Sequence, residues 1–247
     1  MLEKIRRTLQ DIERQQDVRI IYAVESGSRA WGFASPDSDW DVRYIYVRRP
    51  EDYLRVDRIR DTIEGPLDDV LDFSGWDVKK ALMLLRRSNP SLMEWSASPI
   101  VCRETPAWAL VREAIPEHFS ARSEIYHYYS MATGSWHRHM EAEQVRLKKY
   151  LYVLRPVLCA RWIEERGTLP PVLFDELYAT VLPESMRPTV DALLRRKRAA
   201  DESGLTAHIP ALDAFLLGEM ARIRESVEAM GRAELPGREG VNRCSAG

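Results

Sequence analysis

Two aspartates, Asp39 and Asp41, are the residues of this sequence best suited to chemistry. They open an alternating polar and apolar run over 39–47, which is typical of a β-strand. Because side chains alternate along a strand, Asp39, Asp41 and Arg43 are predicted to share one face. Two carboxylates at ~4 Å repel by about 4 kcal/mol at an effective dielectric of ~20, so a buried pair needs a cation. Carboxylate oxygens, with phosphate as the natural co-ligand, favour Mg2+ over zinc.

A glycine and a serine upstream form the second half of this candidate site. Gly27 and Ser28 follow the β-rich run 18–24, where a strand is expected to end and a helix to begin. Glycine lets the backbone approach an anion closely, and a helix N-terminus adds partial positive charge. Gly-Ser alone is usually a turn, and Asp-x-Asp alone is usually a solvated strand edge. Together they predict a cradle for a nucleoside triphosphate beside a metal site at one end of a sheet.

Hydrophobic periodicity predicts the elements that would position these residues. Strands are predicted over 18–24, 39–47, 58–64, 68–73 and 98–102, and helices over 2–16, 78–87, 119–142, 145–166, 172–180, 186–202 and 208–231. Asn89 is predicted to cap a further short helix that has Pro90 at its first position.

The pattern becomes almost wholly helical from about residue 105 onward. We therefore predict an α+β domain with a short mixed sheet over 1–105 and an all-α domain over 106–235. Residues 236–247 are polar and rich in glycine, so they are predicted to be a disordered tail.

Composition narrows the class of protein. Lys and Arg number 36 against 38 Asp and Glu, and a net charge of -2 gives no whole-molecule attraction to polyanions. Cys102, Cys159 and Cys244 are too far apart for a zinc knuckle or a redox dithiol, so a reducing cytoplasm is predicted. No segment approaches the roughly 20 apolar residues that span a bilayer, and we predict no membrane contact.

The stretch over 25–46 resembles the nucleotidyltransferase motif of the polymerase-beta superfamily. It reads ESGSRAWGFASPDSDWDVRYIY. More narrowly, it is similar to the bacterial and phage branch associated with RNA ligases and RNA repair. Later segments that share this resemblance lie at 75–77, 88–90, 94–95, 98–101 and 148–156. The resemblance therefore extends over most of the chain, to about residue 180.

The resemblance implies roles for the motif residues. Gly27 and Ser28 would bind the triphosphate, and Asp39 and Asp41 would bind two Mg2+ ions, with Mn2+ as an alternative. The superfamily usually supplies a third carboxylate from a following strand, and Asp72 is the best-placed match. It would complete the metal site or draw a proton from the acceptor hydroxyl. Other acidic residues nearby remain alternatives, namely Glu64, Asp68, Asp69 and Asp77.

Basic residues are the remaining candidates for contact with the nucleotide. Arg29 and Arg43 flank the motif and are predicted to neutralise phosphate, unless Arg43 only pairs with Asp39 or Asp41. In the helical half, four residues cluster on or beside one helix face and are predicted to clamp the phosphates and stack the base, with a solvated basic face as the alternative. They are Lys148, Lys149, Tyr152 and Arg155.

These expectations define a predicted reaction. The protein would move an NMP from an NTP to an acceptor hydroxyl and release pyrophosphate. The resemblance suggests an RNA 3′ end or tRNA as acceptor and an RNA ligase as a partner in the same pathway. The same core also modifies proteins and small molecules, and a non-catalytic nucleotide or RNA-binding module is the alternative from another class.

Overall fold

The computed structural model describes residues 1–36, 38–65, 70–199 and 204–231. They form two compact units, the first of which holds Met1–Ala30 and Asp39–His118. The second holds Trp31–Ser38 and the described residues from Phe119 to Gly231. The division after His118 falls later than the predicted boundary at 105. The predicted tail at 236–247 lies outside the described residues, as do Asp68 and Asp69.

A five-stranded mixed sheet forms the first unit together with its helices. The elements are α1 (Leu2–Gln16), β1 (Arg19–Glu25), β2 (Trp40–Val47), α2 (Pro50–Tyr53), β3 (Thr62–Glu64), β4 (Leu71–Asp77), α3 (Val78–Arg86), α4 (Pro90–Ser96), β5 (Val101–Glu104) and α5 (Pro106–Ala114). The strand order is β3-β4-β2-β1-β5, and β2 runs parallel to β4 while the other pairs are antiparallel. The predicted α+β class with a short mixed sheet is confirmed.

One face of this sheet packs against α1. Ile5, Leu9 and Ile12 recur at helical spacing along α1 and are all buried. They join a core cluster that includes Val42 and Tyr44 of β2. Burying each such aliphatic side chain contributes about 1.5–3 kcal/mol. Because side chains alternate along a strand, Asp41 and Arg43, which flank Val42, must point to the opposite face of the sheet.

The predicted boundaries differ from the structure around β3 and β4. The strand expected over 58–64 is reduced to Thr62–Glu64, and β4 continues to Asp77, beyond the predicted end at residue 73. Asp77 ends the strand because its side chain accepts a hydrogen bond from Lys79 N at 2.8 Å and caps α3. Asn89 caps α4 as predicted, accepting from Leu92 N at 3.2 Å.

Helices make up most of the second unit. They are α6 (Ala121–His139), α7 (Leu147–Arg166), α8 (Phe174–Val181), α9 (Arg187–Ala199) and α10 (Pro210–Ala229). The predicted C-terminal helical region is therefore present. It also contains a short antiparallel pair, β6 (Gln144–Arg146) with β7 (Leu205–Ala207), which was not predicted because three-residue strands carry too little pattern. Among the described residues, no helix is long and apolar enough to cross a membrane.

His208 connects the strand pair of the second unit to α10. Its Nδ1 lies 2.9 Å from Asp213 Oδ2, and its Nε2 lies 2.9 Å from the backbone carbonyl of Ala142. Two acceptors facing the two ring nitrogens favour the doubly protonated ring. The pKa of His208 is therefore raised, chiefly by the Ala142 carbonyl and further by Asp213.

This raised pKa predicts a pH-dependent contribution of His208 to stability. The contribution is complete below the unfolded pKa of about 6.5 and is lost as pH rises through the higher folded pKa. We expect His208→Gln to unfold at lower urea than the wild type at pH about 6, with the difference shrinking by pH about 9. His137→Gln, in which an exposed ring paired with Glu141 is removed, is the control and should show no such trend. A His208→Gln difference that stays constant with pH would contradict the assignment.

Candidate active site

Parallel pairing of β2 with β4 brings two acidic residues side by side. Asp41 is the register partner of Asp72. The next residues along, Val42 and Phe73, are both buried in the core against α1. Because side chains alternate, both aspartates lie on the opposite face of the sheet. Their place on neighbouring strands gives a pair of carboxylates on a rigid support.

The turn after β1 lies directly against one of these carboxylates. A Cβ atom built on Gly27 would lie only 2.0 Å from Asp41 Oδ2, so a side chain there would force the turn or the carboxylate to shift. The adjacent Ser26 N donates to the backbone carbonyl of Asp41 at 2.9 Å. The predicted meeting of the Gly27–Ser28 turn and Asp41 at one sheet end is therefore present in the geometry.

Glu25 holds this arrangement together, and the sequence interpretation missed it. Its side chain is fully buried; Oε1 accepts from Gly27 N at 2.9 Å and Oε2 accepts from Asp41 N at 2.7 Å. Burial raises the pKa of this carboxyl to about 7. The signal available in the sequence was an acidic residue ending an otherwise apolar strand. Such a residue stays buried only when hydrogen bonds satisfy it.

The helix predicted to begin after Gly27 and Ser28 is wrong. In the described part of the link between β1 and β2, the chain forms turns rather than a helix. Gly32 adopts a left-handed φ of 86°, and the Phe33 side chain is buried in the core of the second unit. Burial of Phe33 in that core therefore stabilises the turns more than local hydrogen bonds would stabilise a helix. Any anion at Gly27 would meet the N–H groups of a turn, without the charge of a helix N-terminus.

Asp39 differs from Asp41 in its surroundings. It precedes β2 and is exposed, whereas Asp41 lies within the strand and is partly buried. The backbone carbonyl of Asp39 accepts from Arg29 Nε at 3.2 Å. The guanidinium of Arg29 also lies 4.8 Å from the ring centroid of Trp40. Arg29 is thereby held beside the segment that carries Asp39.

Arg43 occupies the gap between the paired aspartates. Its Nη2 lies 3.1 Å from Asp41 Oδ1 and 2.7 Å from Asp72 Oδ2. The predicted pairing with Asp41 is present, and Asp72 is a further partner. Within the described part of the chain, no three acidic, histidine or cysteine side chains converge as a ready-made metal site. Asp41 and Asp72 nevertheless offer the hard oxygen donors that Mg2+ prefers, and their charges already require a cation.

Geometry favours Asp72 among the alternatives for the third carboxylate. Glu64 is exposed on the edge strand β3 and accepts from Ser74 Oγ at 3.2 Å. Asp77 is buried at the other end of β4, where it caps α3 and accepts from Tyr53. Only Asp72 of these three is the register partner of Asp41.

Comparison with known proteins assigns the chain to a family. Residues 1–245 match the model of the family described as the RNA repair pathway DNA polymerase beta family, RlaP. The chain belongs to the RlaP family. The resemblance drawn from the motif over 25–46 is confirmed.

Two individual proteins illustrate the relationships of this RlaP chain. Uncharacterized protein YcgL of Bacillus subtilis (strain 168) is 42% identical over 232 residues, covering 93% of this chain and 89% of YcgL. A solved structure of a nucleotidyltransferase-like protein from Exiguobacterium sibiricum 255-15 is 10% identical with a TM-score of 0.32. The matched region covers 91% of this chain and 75% of the Exiguobacterium chain.

The basic residues predicted in the helical half of this RlaP chain lie on α7. Arg155 is only 2% exposed, donates to the backbone carbonyl of Val172 at 3.2 Å and stacks 4.7 Å from the ring centroid of Trp31. Tyr152 meets Trp31 edge to face at 5.9 Å, and Lys149 Nζ lies 4.8 Å from the Tyr152 ring.

Lys148 and Lys149 are partly exposed, unlike Arg155. Contact of Lys148, Lys149, Tyr152 and Arg155 with nucleotide stays a prediction.

The bridging position of Arg43 predicts a link between metal and stability. Arg43→Met removes the cation between Asp41 and Asp72, which should lower the free energy of unfolding by about 1–3 kcal/mol. Mg2+ should restore more stability to the variant than it adds to the wild type. Urea unfolding with and without Mg2+ measures both effects.

A matched control separates this effect from the loss of any arginine. Arg49→Met removes an exposed ion pair with Asp17 and should change stability by about 1 kcal/mol or less. Its response to Mg2+ should equal that of the wild type. Equal Mg2+ responses of Arg43→Met and the wild type would contradict a cation site at Asp41 and Asp72.

Proposed function

We propose that this protein is a Mg2+-dependent nucleotidyltransferase that moves an NMP from an NTP to an acceptor hydroxyl. The observation that carries the proposal is the contact of Gly27 with Asp41, beside the in-register partner Asp72. A turn whose backbone reaches a carboxylate this closely can present an anion and its metal to each other. Membership of the RlaP family supports the same reaction class.

Each residue has a distinct task in the proposed reaction. Asp39, Asp41 and Asp72 would hold two Mg2+ ions, or Mn2+ in their place. Gly27 and Ser28 would offer backbone N–H groups to the triphosphate. When bound, the metal ions neutralise the phosphate charge and lower the pKa of the attacking hydroxyl.

Arg43 is suited to a second role in that state. It donates to Asp41 and Asp72, and its guanidinium can turn to phosphate when a metal ion takes over those carboxylates. Arg29 is held beside Asp39 and is suited to the same anion. Both residues would neutralise the leaving pyrophosphate.

We propose an RNA end as the acceptor, at the 3′ terminus of a broken RNA or of tRNA. The description of the family as belonging to an RNA repair pathway supports this choice. We also propose an RNA ligase as a partner in that pathway. The net charge of -2 means that RNA would be bound through local basic contacts. Cys102 and Cys159 are buried thiols that are not joined in a disulfide, which suits a reducing cytoplasm as the place of action.

A transfer assay tests the proposal. Purified protein is incubated with Mg2+, each of the four NTPs labelled at the α-phosphate, and RNA ending in either a 3′-hydroxyl or a 3′-phosphate. We expect label on the 3′-hydroxyl RNA with an equal amount of pyrophosphate, and none with the 3′-phosphate RNA. An Asp39→Asn, Asp41→Asn double variant should be inactive. Equal activity of that variant, or nucleotide binding without transfer to any RNA, protein or small-molecule acceptor, would overturn the proposal.

A further inference from the structure

The link between β1 and β2 is anchored by the helical unit. This segment, Trp31–Ser38, is here called the strap, and its contacts place it in the second unit. Phe33 is buried in the helical core and meets Phe174 edge to face at 5.6 Å. The backbone N of Phe174 donates to the carbonyl of Trp31 at 2.9 Å. The strap is therefore an integral part of the helical core.

A buried lysine holds the middle of the strap. Lys197 of α9 is 6% exposed, and its Nζ donates to the Phe33 carbonyl at 2.5 Å and to Ser35 Oγ at 3.3 Å. Lysine is almost never this buried unless its ammonium is paired. Apolar packing alone would be served better by an aliphatic residue. The ammonium group of Lys197 therefore stabilises the strap by donating hydrogen bonds to it.

The end of the strap is a closed turn immediately before Asp39. Ser35 and Ser38 are almost fully buried, and their hydroxyl oxygens lie 2.9 Å apart. Ser35 N donates to Ser38 Oγ at 3.0 Å, and Ser38 N donates to the Ser35 carbonyl at 3.1 Å. Lys197 binds this turn through Ser35, so it fixes the backbone that leads into Asp39 and β2.

The start of the strap is held by Arg155. Its guanidinium stacks on the Trp31 ring and donates to the Val172 carbonyl, which ties Trp31 to the helical core. Trp31 follows Ser28 by three residues along the chain. Arg155 and Lys197 thus hold the start and the middle of the strap, which connects the cradle turn to the aspartates along the chain.

We propose that Lys197 and Arg155 are positioning residues, which fix the conformation of the strap through which the chain passes from Gly27–Ser28 to Asp39. This inference rests on the proposed nucleotidyltransfer at those residues. It gives Arg155 a different role from phosphate contact, because its guanidinium is committed to the interior. Residues that orient metal ligands from behind typically change metal affinity or activity by about 10- to 100-fold when replaced.

The test compares Lys197→Met with Lys197→Arg and with Arg195→Met. Methionine keeps the length of the side chain without the ammonium, arginine restores the charge, and Arg195 is an exposed residue of the same helix. Three readouts are needed: hydrogen exchange of peptides covering 31–41, affinity for Mg2+ with a non-hydrolysable NTP, and the rate of transfer.

We expect Lys197→Met to speed exchange over 31–41 while exchange in α1 and β1 stays unchanged. Its affinity for the Mg2+ complex or its transfer rate should fall by about 10- to 100-fold. Lys197→Arg should recover part of the loss, and Arg195→Met should match the wild type. Unchanged exchange over 31–41, or unchanged binding and transfer in Lys197→Met, would overturn the inference.

Ser35→Ala provides a second test from the side of the strap, and it decides the matter if Lys197→Met does not fold. It removes the hydroxyl that Lys197 and Ser38 share, so it should also speed exchange over 31–41 and weaken Mg2+ complex binding. In the double variant with Lys197→Arg the losses should be less than additive. Wild-type behaviour of Ser35→Ala would contradict the positioning role.

Failure of the proposed function gives a different pattern of results. A wild-type protein that neither binds Mg2+ with nucleotide nor transfers it rejects nucleotidyltransfer, and with it the positioning role. A wild-type protein that does both, with Lys197 and Ser35 variants that match it, rejects only the strap inference.

Discussion

Asp41→Asn is expected to lower the rate of nucleotidyl transfer by roughly a thousandfold, which corresponds to about 4 kcal/mol of lost transition-state stabilisation. Asp41 contacts both the Gly27 turn and the bridging Arg43. The neutral amide keeps the shape of the side chain but removes the charge that would hold a metal ion. Single-turnover transfer at saturating Mg2+ and NTP measures the loss directly.

The same variant should remain folded. Arg43 still donates to Asp72 at 2.7 Å, and Glu25 still accepts from the backbone N of residue 41. Asp61→Asn is the matched control, because Asp61 lies in the same unit and its carboxylate pairs with Lys80 near the surface. It should transfer at the wild-type rate. Asp41→Asn with more than a tenth of wild-type activity would contradict a metal-binding role for Asp41.

Gly27→Ala is expected to have the second largest effect. The added methyl would lie 2.0 Å from Asp41 Oδ2 and 2.8 Å from its Cγ, so either the turn or the carboxylate must move. A displacement of about 1 Å at a reacting centre costs on the order of 100-fold in rate. The overpacking should also lower the free energy of unfolding by about 1–3 kcal/mol. Transfer kinetics and urea unfolding measure the two effects.

Gly134→Ala is the matched control for the extra methyl. Gly134 lies within α6, and a Cβ there meets nothing within 4 Å. Alanine in a helix should stabilise the protein by about 0.5–1 kcal/mol and leave transfer unchanged. Full activity of Gly27→Ala would show that the turn and Asp41 need not lie this close together for the reaction.

The part of the candidate site that lies within one strand could be predicted from the alternation of side chains along that strand. Alternation along β2 predicts that Asp41 and Arg43 share a face, and their observed hydrogen bond agrees. The pairing of Asp41 with Asp72 depends on β2 and β4 running parallel across a long connection. Nothing in the pattern around either residue specifies that neighbour, and only the family resemblance pointed to Asp72.

Features that depend on packing between distant segments were missed or misassigned. The helix expected after Gly27 does not form, since Phe33 is buried in the helical core and Trp31 packs against that core. Lys197 lies within a run of four basic residues over 195–198, a pattern typical of a solvated helix face, yet it is buried against the strap. Arg155 is likewise a basic residue that is buried, where it packs against Trp31. Secondary-structure propensity reflects residues that are near in sequence, whereas the contacts of Lys197 and Arg155 with the strap join residues more than 100 positions apart.

Mn2+ titration followed by electron paramagnetic resonance, with and without a non-hydrolysable NTP, tests whether Asp39 and Asp41 bind the metal ions. We expect the wild type to take up Mn2+ only with nucleotide, and Mg2+ to compete for the same sites. The Asp39→Asn, Asp41→Asn variant should leave the Mn2+ free in solution while it keeps the wild-type fold. Equal Mn2+ uptake by this variant and by the wild type would contradict the assignment of Asp39 and Asp41 as the metal-binding pair.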